Sequence, residues 1–314
     1  MPPVPDDQIH PDLLPLLLAR RGITPGRTVA EKREVWRQYS STIAEPPPAD
    51  MAIHDRAIPV AGRDVMVRVY RPAGAADGAP CVIYMHGGAF LLGDLDSSDT
   101  LAWGVAQEAG ATTVSVDYRL APEHPYPAAF DDCYGVLEWL AAHATEIGAD
   151  PARIGLYGDS AGGNLAAALS LASRDRAGPK LRAQVLIYPG MGLPADSASY
   201  RDFADGPSLT TATVVEARGM YLSQGRFADD PYAAPIRAAS FAGLPPAWVH
   251  TAGFDPIRDD GRQYAAALAL AGVDVTYREA HRMLHGFMRM RVRGPQVRRE
   301  FEASCAFMRR HLAA

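Results

Sequence analysis

The chain has 314 residues, with 31 Lys and Arg against 36 Asp and Glu and a formal net charge of -5. It therefore presents no basic field for a phosphate backbone, and nucleic-acid binding is not expected. No apolar stretch approaches the ~20 residues that span a bilayer, and the N-terminus opens on prolines and acids where a secretory signal would carry a basic region and an apolar run. A cytoplasmic protein is expected, and the widely spaced Cys81, Cys133 and Cys305 read as buried reduced thiols with no disulfide framework.

Residues His10 to Arg20 and Thr28 to Thr42 read as two amphipathic helices, presenting Leu13, Leu14 and Leu17 and then Val35, Trp36 and Tyr39 as apolar contacts. Pro46-Pro47-Pro48 ends this segment. A hairpin is expected from Met51 to Val60 and Arg63 to Tyr70, and the loop Pro72 to Pro80 leads on to an apolar strand. That strand closes in Met85-His86-Gly87-Gly88-Ala89-Phe90. Gly87 and Gly88, lacking Cβ atoms, can bring their amides close to a substrate, so the turn reads as an oxyanion loop whose N–H groups meet the negative charge of a tetrahedral intermediate. His86 is assigned to holding that loop through hydrogen bonds, in preference to proton transfer. An ordinary strand-to-loop turn is the competing reading.

Tyr157-Gly158-Asp159-Ser160-Ala161-Gly162-Gly163-Asn164 contains G-x-S-x-G between an apolar run, Arg153 to Tyr157, and a helical run, Ala161 to Ala172. Gly158 and Gly162 keep side chains out of a bend that forces Ser160 into an unfavourable backbone conformation, with its hydroxyl clear of the sheet. Ser160 reads as a nucleophile, and the amide of Ala161, opening the helix, as a further oxyanion donor. A phosphate loop fits poorly, since neither G-K-[ST] nor G-x-G-x-x-G is present.

Gln184 to Pro189 reads as a strand, and residues 190–235 then interrupt the strand–helix rhythm with a polar run and a helix from Thr211 to Ser223. Beyond it, Ala247 to Phe254 reads as a strand delivering Asp255, and Arg258 to Ala271 as a helix. The strand Val273 to Glu279 is followed by a loop bearing His285. A serine hydroxyl needs a base and the base an orienting acid, and Ser160, His285 and Asp255 supply them in the chain order Ser…Asp…His. Asp255 before Pro256 could serve as a helix cap alone. Asp259 and Asp260 are expected to face solvent on the first helical turn. His281 and His285 lack the glutamate of H-E-x-x-H and nearby cysteines, so no metal site and no cofactor are expected. His250 is expected as a satisfied, partly buried strand residue. Arg289, Arg291, Arg293, Arg298 and Arg299 are read as a solvated loop and helix face.

These segments, with Leu92-Gly93-Asp94-Leu95-Asp96, Tyr118-Arg119-Leu120-Ala121-Pro122-Glu123-His124-Pro125-Tyr126-Pro127, Asp255-Pro256-Ile257-Arg258-Asp259 and His285-Gly286-Phe287, resemble the hormone-sensitive lipase family of α/β-hydrolases, which includes the bacterial family IV esterases. The resemblance covers about residues 55 to 310. It implies an α/β-hydrolase fold, with a mostly parallel central sheet flanked by helices and a helical cap. It makes Ser160, Asp255 and His285 a triad and Gly87, Gly88 and Ala161 the oxyanion donors. Ala89 stands where many relatives have a third glycine. The implied division is residues 1–48 as N-terminal cap helices and 49–314 as one core, with a second cap segment at about 190–235. Because positions 160, 255 and 285 must meet, the core is continuous.

For the pocket wall or the layer behind it, the candidates are His86, Ala89, Phe90, Asp159, Tyr188, Met191, Leu209 and Phe287. The expected function is hydrolysis of short-chain carboxylic esters through a serine acyl-enzyme, with a small-molecule ester as the partner. Homodimers through the sheet edge are common among such relatives. A non-hydrolytic small-ligand receptor, a dehydratase on the same scaffold and an amide or formamide hydrolase are the rival readings.

Overall fold

Val82 and Tyr84 point to one side of their strand and Cys81, Ile83 and Met85 to the other, yet all five are buried. Such a strand needs cover on both faces, which a parallel sheet between two helix layers supplies. The computed structural model, which describes residues 4–24 and 26–313, has this architecture. The outermost residues of the two predicted segments, 1–3 and 314, lie outside the described residues.

The chain begins with α1 (Leu14–Arg21) and α2 (Val29–Ile43). Thr28 caps α2 with a capping box, its hydroxyl accepting the Glu31 amide while the Glu31 carboxylate accepts the Thr28 amide. The hairpin β1 (Ala52–Val60) and β2 (Arg63–Arg71) follows, then β3 (Ala79–Met85), α3 (Leu95–Ala109), β4 (Thr112–Val116), α4 (Ala128–His143), β5 (Ala149–Asp159) and α5 (Ala161–Asp175). The second half runs β6 (Leu181–Ile187), α6 (Ala198–Asp202), α7 (Thr211–Tyr221), β7 (Ala247–Phe254), α8 (Arg258–Leu270), β8 (Val275–Leu284) and α9 (Pro295–Leu312).

The eight strands form one sheet in the order β1-β2-β4-β3-β5-β6-β7-β8. β2 runs antiparallel to both neighbours, and the remaining pairings are parallel. Leucines and alanines of α4, α5 and α8 fill one face, while α3 and α9 cover the other. This is the α/β-hydrolase arrangement expected. Its parallel strands deliver their C-terminal ends to one edge, where open α/β sheets bind ligands. Among the described residues no helix is long and apolar enough to cross a membrane. Cys81, Cys133 and Cys305 are free and buried.

Several expectations need correction. β8 was expected to stop at Glu279 but runs to Leu284, because β7 keeps pairing through an irregularity as far as Phe254 opposite Leu284. His285 therefore follows the strand directly. Asp259 and Asp260 are buried, not solvent-facing. Arg291 is buried too, its guanidinium 3.8 Å from the Trp103 ring and donating to the Thr100 carbonyl. Aromatic faces and one backbone carbonyl, rather than water, surround its charge.

His250 is fully buried instead of partly, and neither ring nitrogen has a hydrogen-bond partner. Glu300 Oε2 stands 3.5 Å from Nε2. Burial, with Arg278 adding to it, pushes this imidazole down to about 3 from the ordinary 6.5. The folded state thus holds His250 neutral where the unfolded chain would protonate it. The resulting stability is fully present above pH 6.5 and is lost as pH falls toward 3, on the order of 5 kcal/mol in all. Urea unfolding at several pH values should show a shallower acid decline in His250→Phe than in the parent, whereas parallel curves would remove His250 from the account.

Candidate active site

Ser160 lies between the last residue of β5 and the first of α5, with φ 57 and ψ -115. A non-glycine residue there is strained by roughly 1–3 kcal/mol and needs neighbours that over-determine it. They are present. The Ser160 amide donates to Ile187 O on β6 at 2.8 Å. A Cβ on Gly158 would stand 2.1 Å from Gly162 O, and one on Gly162 would stand 1.9 Å from Met85 O, so only glycine allows the bend to close against β3.

His285 Nε2 lies 2.9 Å from Ser160 Oγ, and Nδ1 lies 2.7 Å from Asp255 Oδ2. A carboxylate can only accept, so Nδ1 carries the proton and Nε2 is left to accept from the serine hydroxyl. Asp255 is fully buried at the end of β7, its Oδ1 accepting the Ile257 amide at 3.0 Å. It therefore fixes the turn leading into α8 while holding the imidazole. The His285 ring packs against Tyr188, 4.8 Å between centroids, and its carbonyl accepts from Ser208 Oγ at 2.6 Å. Arg20 of α1 donates to that same Ser208 hydroxyl at 3.0 Å. Both segments expected as cap thus meet behind His285.

The loop after β3 turns through Gly88 (φ 135), Ala89 (φ 56) and Phe90 (φ 62). A Cβ on Gly88 would fall 2.0 Å from Leu92 O, so glycine is required by space as well as by φ. His86 is buried, its imidazole pushed below its ordinary value by that burial. Its Nδ1 lies 2.8 Å from Gly87 O, while the Tyr118 hydroxyl donates to the His86 carbonyl at 2.6 Å and its ring stacks at 4.3 Å. These contacts tie the loop to the chain after β4.

Gly87 is brought beside Ser160, but its amide donates to Asp159 Oδ1 at 3.0 Å. Tyr84 donates to the same oxygen at 2.7 Å. The Gly87 N–H is thereby engaged, which corrects its expected place as an oxyanion donor. The amides of Gly88, Ala89 and Ala161 have no hydrogen-bond acceptor among the described residues. Asp159 acts as a clamp on the loop rather than as pocket wall.

A cavity of ≈ 90 Å³ opens at Ser160 and Ala161, bounded by Ala89, Phe90, Leu209, Val214 and Ala217 among others. Phe90 is held flat on Tyr221 of α7, ring centroids 3.6 Å apart. Of the predicted wall residues, Ala89, Phe90 and Leu209 line it. Tyr188, Met191 and Phe287 do not, being fully buried in the layer behind. Asn164, Tyr200, Arg218 and Asp260 also line the cavity and were not expected. Helical spacing could have found Asn164, which shares a face with Ser160.

Residues 82–289 match a family model described as alpha/beta hydrolase fold. The chain is 38% identical over 313 residues to Carboxylesterase NlhH of Mycobacterium tuberculosis, covering 97% of this chain and 98% of that protein. It is 34% identical over 301 residues to an ethyl acetate hydrolase of Pseudomonas putida, covering 90% and 92%. A crystal structure of a thermostable esterase from Pseudomonas putida superposes with a TM-score of 0.93 at 31% identity, covering 98% of this chain and 99% of that one.

Replacing Asp159 by Ala should free the Gly87 amide and loosen the loop. Labelling of Ser160 by a p-nitrophenyl alkylphosphonate, followed by release of nitrophenolate, should then slow by ~10²-fold with the thermal melt still cooperative. A wild-type labelling rate would show that the clamp does not position the loop.

Proposed function

This chain belongs to the alpha/beta-hydrolase family, in the hormone-sensitive lipase branch that its motifs resemble, and on that footing we propose that it is a carboxylic ester hydrolase acting on short-chain acyl esters through a serine acyl-enzyme. The observation that carries the reading is the unbroken run from Ser160 Oγ through His285 to Asp255, at 2.9 and 2.7 Å. The names of its relatives, carboxylesterase and ethyl acetate hydrolase among them, support the same class.

In this mechanism Ser160 Oγ attacks the ester carbonyl carbon as its proton passes to His285 Nε2. Asp255 keeps the Nδ1–H tautomer and stabilises the imidazolium. The carbonyl oxygen, now an oxyanion, faces the amides of Gly88, Ala89 and Ala161, whose fixed positions stabilise it more than the neutral ester. His285 then donates its proton to the alcohol oxygen as the C–O bond breaks. A water repeats the attack on the acyl-enzyme, giving its proton to His285, and the acid leaves as Ser160 recovers its hydrogen.

The departing alcohol must lie beside His285. That residue does not line the cavity, so the cavity on the Ala161 side is assigned to the acyl group. At ≈ 90 Å³ it is smaller than the ~150 Å³ cavity that holds benzene, which favours roughly two to six carbons. The N-terminal helices and residues 190–235 act as a two-part cap, a role supported by the Arg20–Ser208–His285 link.

Across p-nitrophenyl esters from acetate to dodecanoate, kcat/KM should peak within the short acyl range and fall beyond it. Ser160→Ala should lower kcat by ~10⁴-fold or more without unfolding the protein. Hydrolysis retained by that variant would point to another nucleophile, and a rate still rising at dodecanoate would place the acyl chain in an open groove.

A further inference from the structure

The wall of the acyl cavity is not uniformly apolar. Gly190 and Gly192 form one side of it, and the backbone of residues 190–193 is gripped from three elements. Asn164 of α5 donates from Nδ2 to the carbonyls of Gly190 and Ala233, at 2.7 and 3.2 Å. Asp260 of α8 accepts on Oδ1 the amides of Met191, Gly192 and Leu193, at 2.7, 2.9 and 3.3 Å. Arg218 of α7 donates to the carbonyls of Leu193 and Gly192, at 2.6 and 2.9 Å.

These contacts fix the orientation of both acceptor side chains, because two carbonyls demand the NH₂ end of Asn164 and three amides demand a carboxylate oxygen of Asp260. Each is left with one oxygen. Asn164 Oδ1 is buried without a hydrogen-bond partner. Asp260 Oδ2 is likewise buried, with the Tyr200 hydroxyl beside it as a partner. A buried acceptor left unpaired is unfavourable, and here Asn164 borders the space assigned to the substrate.

Resting on the ester-hydrolase reading, we propose that the preferred acyl group is short and carries a hydroxyl beyond its first carbons, donating to Asn164 Oδ1 with Asp260 beside it. A neutral donor is favoured over an ammonium because the Arg218 guanidinium shares that wall. The reaction is ordinary hydrolysis: a hydroxyacyl ester and water give a hydroxy acid and an alcohol. Asn164 stands one helical turn below Ser160, which suits a hydroxyl on the third or fourth acyl carbon.

Pairs of ethyl esters matched in shape test this: 3-hydroxybutanoate against 3-methylbutanoate, and 4-hydroxybutanoate against pentanoate. For the wild-type protein kcat/KM should favour the hydroxyl member of at least one pair by ~10-fold or more, as expected where a site is built to pair a substrate hydroxyl. In Asn164→Ala, checked by thermal melting, that ratio should fall toward one. If the methyl members are preferred or the two are equal in the wild type, the inference is overturned while the ester-hydrolase reading stands. If neither member of any pair is hydrolysed, and simple acetate esters are also untouched, the reading beneath it fails instead. The wild-type comparison decides the matter even if the variant does not fold.

Discussion

The imidazole of His285 is held by groups that arrive on two other strands, a hydroxyl from the end of β5 and a carboxylate from the end of β7. Neither partner is free to adapt. Ser160 sits at a strained φ that the Ile187 carbonyl and two flanking glycines enforce, and Asp255 is fully buried with its other oxygen on the Ile257 amide. The sheet register therefore sets the spacing of the three groups, and the proposed chemistry depends on that register. The His285 backbone is fixed independently through Ser208, so the two segments assigned to the cap bear on the same residue as the core.

Three buried carboxylates near the site each commit one oxygen to backbone N–H groups. Asp255 takes Ile257, Asp159 takes Gly87, and Asp260 takes Met191, Gly192 and Leu193. A carboxylate accepting several amides replaces the water it has lost and makes rigid a stretch of loop that would otherwise open. Rigid loops matter because donors fixed in advance need no reorganisation when charge develops. The loops ringing the cavity owe their shape to charged side chains anchored in helices and strands, and this preorganisation is the common theme of the site.

Much of this was legible in the sequence, for reasons that are local. The elbow at Ser160 and the turn after His86 need glycines at fixed offsets, and a strand or helix on either side shows in the apolar spacing. The contradicted expectations concern groups whose partners lie far along the chain. Gly87 looked like a free donor because nothing nearby signals that Asp159 and Gly87 would face each other across β3 and β5. Asp260 looked like a surface acid of a first helical turn, since the three amides that make its burial tolerable belong to a loop with no periodicity of its own. Likewise β8 outran its expected end because strand pairing with β7, not local composition, decides where it stops.

The central claim is that Ser160 and His285 work as one unit. The most direct measurement compares kcat for a short-chain p-nitrophenyl ester in Ser160→Ala, His285→Ala and the double variant. Groups that share a single proton transfer give a double variant about as impaired as either single one, because nothing is left for the second change to remove. Losses that multiply would contradict the account and mean that the two side chains contribute separately.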